Sequence, residues 1–241
     1  MAGIYIHIPF CSQFCSYCDF YSVKQTEKVN EFTESLIKEI VLRSNDFKNK
    51  GLTVNTVYFG GGTPSLISIT SLKAILNALF RNYPLSPNGV KEQTIEVNPD
   101  DITPQYLHGL RECGFNRLSM GIQSFNDRHL RWMNRRHNAL TALNAFKMAR
   151  EAGFANISID LIFGFEMLTI QEWTDNLQKA ISLSPEHISA YQMSIERGTT
   201  LFKNYTKGAY LQPSDESSAK QYEMLGQELA KGGYIQYEVS S

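Results

Sequence analysis

The sequence predicts an α/β fold built on a parallel sheet. Short β-branched runs recur along the chain, amphipathic helical stretches separate them, and glycines close several of the helices. Strand–helix–strand alternation implies right-handed crossovers, which lay strands parallel to one another in one sheet. The pattern is compatible with a doubly wound sheet and with a barrel.

Ile4 to Ile8 is a β-branched run that stops at Pro9 and reads as the first strand. Thr26 to Arg43 carries Val29, Phe32, Leu36, Ile40 and Val41 at the spacing of a helix packed on one side. Val54 to Phe59 is the second strand and runs into Gly60-Gly61-Gly62. A helix over Ser68 to Phe80 follows, with Ile69, Leu72, Ile75, Leu76 and Leu79 on one face. Thr94 to Val97 is the third strand. The next helix runs from Thr103, an N-cap ahead of Pro104, to Cys113, where Gly114 stops it. Arg117 to Ile122 makes the fourth strand, and helical segments lead to Glu151 and a stop at Gly153. The fifth strand is Asn156 to Phe163, its helix Thr169 to Leu183, and the sixth strand His187 to Met193.

Beyond Ser194 the regularity fails. A loop with Gly198, Gly208 and Pro213 precedes a helix over Asp215 to Lys231, and Ile235 to Val239 alternates like a last strand. The chain therefore divides into a core over residues 1–195 and a region over 196–241 of linker, helix and the start of a truncated further part.

The 241 residues suit one large domain or two small ones. Lys and Arg number 23 against 24 Asp and Glu, which excludes an overall basic nucleic-acid surface and an acidic disordered tail. A hydrophobic fraction of 42% supports a packed core. No apolar run approaches the roughly 20 residues that span a bilayer. Met1 to Phe10 lacks the basic and apolar regions of a secretory signal. The 4 cysteines are too clustered for a disulfide scaffold, so a reducing cytoplasm is expected.

Cys11, Cys15 and Cys18 form C-x3-C-x2-C in the loop after the first strand. Three thiolates on one short loop suit three irons of a cubane cluster, which usually takes four cysteines. Soft thiolates also suit zinc or Cu(I). A missing fourth ligand points to an iron left open for a small molecule, much as a catalytic zinc keeps a position open. A zinc completed by His7 or Asp19, and three unligated thiols, are the alternatives. Cys113, near the end of an amphipathic helix, reads as packing.

Tyr5-Ile6-His7-Ile8-Pro9-Phe10-Cys11, continuing through Cys15, Tyr17 and Cys18, resembles the radical S-adenosylmethionine (SAM) superfamily. More narrowly it resembles the oxygen-independent coproporphyrinogen III oxidase group. Further motifs recur in order: Gly60-Gly61-Gly62-Thr63-Pro64, Glu96-Val97-Asn98-Pro99, Gly121-Ile122-Gln123-Ser124-Phe125, Asp160-Leu161-Ile162 and Ser189-Ala190-Tyr191. The resemblance implies a partial (β/α)6 barrel with outer helices. It also implies a [4Fe–4S] cluster on Cys11, Cys15 and Cys18, with SAM on the open iron. One electron from the cluster would cleave SAM to methionine and a 5′-deoxyadenosyl radical.

By the same resemblance Tyr17 lies against the adenine, while Gly61, Gly62, Thr63 and Glu96 meet the methionine ammonium. Asp160 meets the ribose hydroxyls, Gln123 and Arg135 complete the polar wall with Arg135 facing a carboxylate, and Tyr5 hydrogen-bonds near the cluster. Taken as residues alone, the glycines read as a tight turn that admits positive φ. Glu96 and Asp160 are carboxylates flanked by apolar residues, so each needs a partner or a ligand. Tyr5 alone is a strand residue. In a parallel barrel all of these fall at or just past the carboxyl ends of strands, where such folds place their sites. His7, His108, His129, His137 and His187 show no ligand spacing and read as structural or surface residues. Arg131, Arg135 and Arg136 with Trp132 form a short basic face in a neutral protein, so no nucleic acid is expected.

Two branches of the group separate just past the third cysteine. The oxidase branch has another cysteine two positions on, where this chain has Phe20. In this the chain is similar to the heme-chaperone branch, which shares the SAM machinery and delivers heme to respiratory proteins. SAM, heme and a heme-acceptor protein are then the expected partners. A porphyrin-processing oxidase, and a non-enzymatic Fe–S or zinc scaffold, stay as alternatives, so enzymatic activity is open. Two departures stand out: no Pro follows Gly164, and Arg197 stands where Pro is commoner. In the group, the run Tyr237–Ser240 continues into a C-terminal domain with a heme-associated segment. The heme or porphyrin site of this chain is therefore expected to be incomplete.

Overall fold

The structure, a computed structural model, describes residues 2–238. It contains a 6-stranded sheet in the order β1-β2-β3-β4-β5-β6. The strands are β1 Ala2–Ile8, β2 Val54–Gly61, β3 Glu92–Val97, β4 Arg117–Gln123, β5 Asn156–Phe163 and β6 His187–Gln192. A doubly wound sheet reverses its strand order at a switch point, whereas a (β/α) barrel adds each strand beside the last. The sequential order therefore selects the singly wound arrangement. Parallel pairing runs from Gly3↔Thr56 to Ile8↔Gly61, from Thr56↔Glu92 to Phe59↔Ile95, and from Ser158↔His187 to Phe163↔Gln192.

The helices are α1 Val29–Asn49, α2 Ile69–Asn82, α3 Pro104–Glu112, α4 Asp127–Trp132, α5 Ala139–Glu151, α6 Ile170–Leu183, α7 Thr200–Thr206 and α8 Asp215–Lys231. Caps fall where the residues predict them. Thr103 accepts the Tyr106 N–H at 3.1 Å, Gly114 takes φ +92°, and Thr169 with Glu172 closes a capping box on α6. Such a cap contributes about 1 kcal/mol.

Three expectations need correction. α1 runs past Arg43 to Asn49, since Phe47 extends its apolar face and meets the Tyr83 ring at 4.9 Å. The expected loop after Ser194 contains α7, capped by Thr199 on the Phe202 N–H at 3.1 Å. Ile235 to Glu238 forms no strand, and Ile235 is 87% exposed. Alternation supplies a face, but a strand also needs a ladder partner. Val239 lies outside the described residues.

The chain packs as two compact units. The first takes the chain through Ser12, Phe20–Ser119 and Lys147–Asn156. Its core holds Ile8, Ile75, Leu79 and Ile95, with Phe59 and Phe115 edge to face at 5.3 Å. The second takes Gln13–Asp19, Met120–Phe146 and the chain from Ile157 onward. There Phe163 stacks on Trp173 at 5.6 Å, and the buried indole N–H donates to Gln221 O at 2.9 Å. Each fully buried large apolar side chain contributes about 1.5–3 kcal/mol. Side chains hold the loop around Gly164. Gly164 N–H donates to Gln221 Oε1 at 2.8 Å, and Glu166 Oε2 accepts from Leu211 N–H at 3.0 Å. No helix among the described residues is long and apolar enough to cross a membrane.

Candidate functional site

The first unit presents its residues at the carboxyl ends of β1, β2 and β3. Past Pro9 the chain turns into Phe10, whose ring meets Phe32 edge-on at 5.3 Å, and then into Cys11. The Cys11 N–H donates to Val23 O at 2.9 Å, and Val23 N–H donates to Pro9 O at 2.6 Å. Cys11 is thereby buried, and its Sγ accepts the Thr63 hydroxyl at 3.5 Å. The glycine run closes over it. Gly62 N–H donates to Ile8 O at 2.8 Å, and a Cβ on Gly62 would stand 2.8 Å from Phe10 O and 3.0 Å from Cys11 Sγ. Gly61 has φ +117°, and a Cβ there would lie 2.7 Å from the His7 ring. Only glycine fits this approach.

Glu96 closes the other side. Its Oε1 accepts the Tyr58 hydroxyl at 2.8 Å, and its Oε2 accepts the Gly61 N–H at 3.1 Å. Burial pushes its carboxyl pKa up, against the pull of those two bonds and of His7. A carboxylate oxygen takes about two donors, so each retains capacity for a cation. Tyr5 Oη lies 3.1 Å from His7 Nδ1, and His7 Nε2 lies 3.0 Å from Tyr21 O. A carbonyl only accepts, so Nε2 carries the proton and Nδ1 receives the Tyr5 hydroxyl. Burial, with Glu96 nearby, raises the Tyr5 phenol.

In the second unit, the Gln13–Asp19 loop carries Cys15, Tyr17 and Cys18. Arg135 donates through Nη1 to Cys15 Sγ at 3.3 Å and through Nη2 to Gly121 O at 2.7 Å. Enclosure of the Tyr17 hydroxyl pushes its pKa strongly up, and Cys15 and Cys18 add to the rise while Arg135 opposes it. Gln123, at the end of β4, has φ +68°, and Ser124 N–H donates across it to Ile122 O at 2.8 Å. That is a γ-turn with positive φ, a conformation that costs a non-glycine residue about 1–3 kcal/mol. Its amide Oε1 is buried with no hydrogen-bond partner among the described residues. Asp160 is half-buried in β5 between the fully buried Ile159 and Leu161, in register with Ser189.

The structure thus gathers Tyr5, Gly61, Gly62, Thr63, Glu96 and Cys11 in the first unit. In the second it gathers Cys15, Tyr17, Cys18 and Arg135, with Gln123 and Asp160 at strand positions of the same unit. The donor set fits the expected groups. A glycine cradle and a buried carboxylate suit an ammonium, an orphaned amide oxygen awaits a donor, and soft thiols suit iron. Among the described residues no group of three or more His, Cys, Asp or Glu is arranged to hold a metal ion.

Sequence reasoning missed the residues that grip the cysteine loop. Gln13 Nε2 donates to Asn134 O at 2.8 Å and to Asn134 Oδ1 at 3.0 Å, and Asn134 Nδ2 donates to Phe14 O at 2.7 Å. Ser16 N–H donates to Met133 O at 3.0 Å, and its hydroxyl to Trp132 O at 3.3 Å. The one legible signal was Asn134 after a short helical pattern, since Asn tolerates the left-handed conformation it adopts at φ +57°.

Residues 5–180 match the Radical SAM superfamily, and the chain belongs to it. Membership implies binding of a [4Fe–4S] cluster and SAM. Within the superfamily the chain is similar to the heme chaperone HemW of Bacillus subtilis, at 36% identity over 100% of this chain and 63% of that protein. It is 35% identical to the mitochondrial Radical S-adenosyl methionine domain-containing protein 1 of Danio rerio, over 100% of this chain and 53% of that one. Among solved structures, the coproporphyrinogen III oxidase HemN of Escherichia coli, a radical SAM enzyme, superposes with a TM-score of 0.86. The two share 29% identity, over 99% of this chain and 54% of that one. The chain spans only part of the length of each relative.

Proposed function

We propose that this chain is a radical SAM heme chaperone, working in the cytoplasm, that binds heme and passes it to a respiratory acceptor protein. The observation that carries this reading is Phe20, which stands where the oxidase branch has its extra cysteine and is 69% exposed. The likeness along the whole chain to heme chaperones supports it. When bound, the cluster supplies one electron to SAM.

In this reading Cys11, Cys15 and Cys18 hold three irons. Glu96 receives the SAM ammonium beside Gly61, Gly62 and Thr63, its buried carboxyl already oriented by Tyr58 and the Gly61 N–H. Gln123 offers its amide oxygen to a donor of the cofactor, Asp160 takes the ribose hydroxyls, and Tyr17 lies against the adenine. Arg135 faces the methionine carboxylate while its other arm stays on Gly121 O. Tyr5, aligned by His7, donates or accepts near the cluster.

The test is anaerobic reconstitution with iron and sulfide, addition of SAM, then heme titration and a parallel incubation with coproporphyrinogen III. The expected result is a cluster absorption that changes with SAM, and heme uptake without protoporphyrinogen. The resemblance to the E. coli enzyme favours the oxidase as second reading, and protoporphyrinogen formation would establish it. A zinc-only protein, or a spectrum indifferent to SAM, leaves the scaffold alternative.

A further inference from the structure

We infer that the segment Trp132–Arg135 is a preformed latch that fixes the middle cysteine of the cluster loop, with Asn134 and Gln13 as its positioning residues. The inference rests on the cluster-binding reading and assigns it residues that the cysteine motif does not contain. All the groups involved belong to the second unit.

The bonds converge on a short stretch. On the residue before Cys15, Phe14 O accepts from Asn134 Nδ2 at 2.7 Å. On the residue after it, Ser16 donates through its N–H to Met133 O at 3.0 Å and accepts the Leu201 N–H at 2.7 Å. Cys15 itself receives the Arg135 guanidinium at 3.3 Å. Gln13 adds a fork, one amide nitrogen shared between the main-chain and side-chain oxygens of Asn134. The partners from Trp132 to Arg135 lie 116 to 121 residues from the loop along the chain. A loop of this kind left free would lose backbone entropy when it wrapped a cluster, and the latch makes that ordering part of folding.

Asn134 is the hinge of the arrangement. At φ +57° it points its own carbonyl and its amide toward the loop together, a backbone conformation that Gly, Asn and Asp tolerate and others resist. The side-chain amide then supplies the donor that glycine would lack. Groups that orient metal ligands in this way typically change metal affinity 10- to 100-fold when removed.

The test uses the full chain carrying Asn134→Gly, Asn134→Asp or Gln13→Ala. Cluster loss to an iron chelator is followed by absorbance, Cys15 alkylation in the iron-free protein by mass spectrometry, and the iron-free melting temperature by calorimetry. Asn134→Gly keeps the backbone conformation. It is expected to melt near the wild type, yet to lose its cluster roughly tenfold faster and expose Cys15 to faster alkylation. Asn134→Asp, which keeps the acceptor for Gln13, falls between the two. Combining Gln13→Ala with Asn134→Gly adds little to the worse single change, as expected for one shared interaction. Chelation rates equal to the wild type in both Asn134→Gly and Gln13→Ala would overturn the latch. So would a melting temperature that falls in step with cluster loss in both, because that marks a purely structural fastening. A wild type that takes up no cluster at all overturns the cluster reading and the latch together.

Discussion

The first and middle cysteines of the loop are held by different means. Cys11 continues a strand: its N–H pairs with Val23 O, its neighbour Phe10 is buried against Phe32, and Gly62 presses on it from β2. Around Cys15 a side-chain grip from Gln13, Asn134 and Arg135 joins the main-chain bonds of Ser16 to Met133 and Leu201. Backbone pairing is stiff and survives most substitutions, whereas an amide grip depends on the identity of each partner. Cys11 is therefore protected mainly by backbone pairing, and Cys15 depends in addition on particular side chains.

The largest expected effect treats all three cysteines alike. Cys11→Ala, Cys15→Ala and Cys18→Ala each abolish the cluster, while Cys113→Ala keeps it, as measured by iron and sulfide content. Iron retained by Cys15→Ala would break the comparison at its base. Next, Gly62→Ala attacks the backbone-held end, forcing a Cβ against Phe10 O. A loss of about 2–3 kcal/mol in denaturant unfolding is expected, far more than at Asn134.

Glu96→Gln comes third, with SAM binding weaker by about tenfold or more in equilibrium titration. It also carries a pH signature. Burial raises the folded carboxyl, so the folded chain holds that proton more tightly than the unfolded chain. Glu96 is neutral and harmless below the ordinary glutamate range, and it destabilises increasingly as pH rises from there through the raised folded value. Glu96→Gln removes that decline, which melting of the iron-free protein across mildly acidic to neutral pH would reveal. Smallest is Tyr5→Phe. Tyr5 is 58% exposed and gives up one bond to His7, so under about 1 kcal/mol is expected in thermal melting.

The same contrast explains what the sequence made legible. Thr103-Pro104 and Gly114 announce helix ends because capping is local chemistry. Cys11 and the glycine run were readable because close approach admits few residue types. Alternation gave a parallel sheet but left its strand order open between doubly wound sheet and barrel, and the structure supplied the order. The Gln13–Asn134 fork was not readable, since surface amides carry no periodicity and their partners lie far along the chain. α7 was hidden by its short length, and the run from Ile235 misled because alternation says nothing about a neighbouring strand.

Gln123 carries a consequence for anyone who would improve this protein. Glycine would sit in its turn without strain, so a search for thermal robustness alone would replace the glutamine at once. The same exchange would delete an enclosed amide oxygen that no hydrogen-bond donor among the described residues reaches. In the role proposed for Gln123, durability and cofactor capture pull the choice of residue at this position in opposite directions.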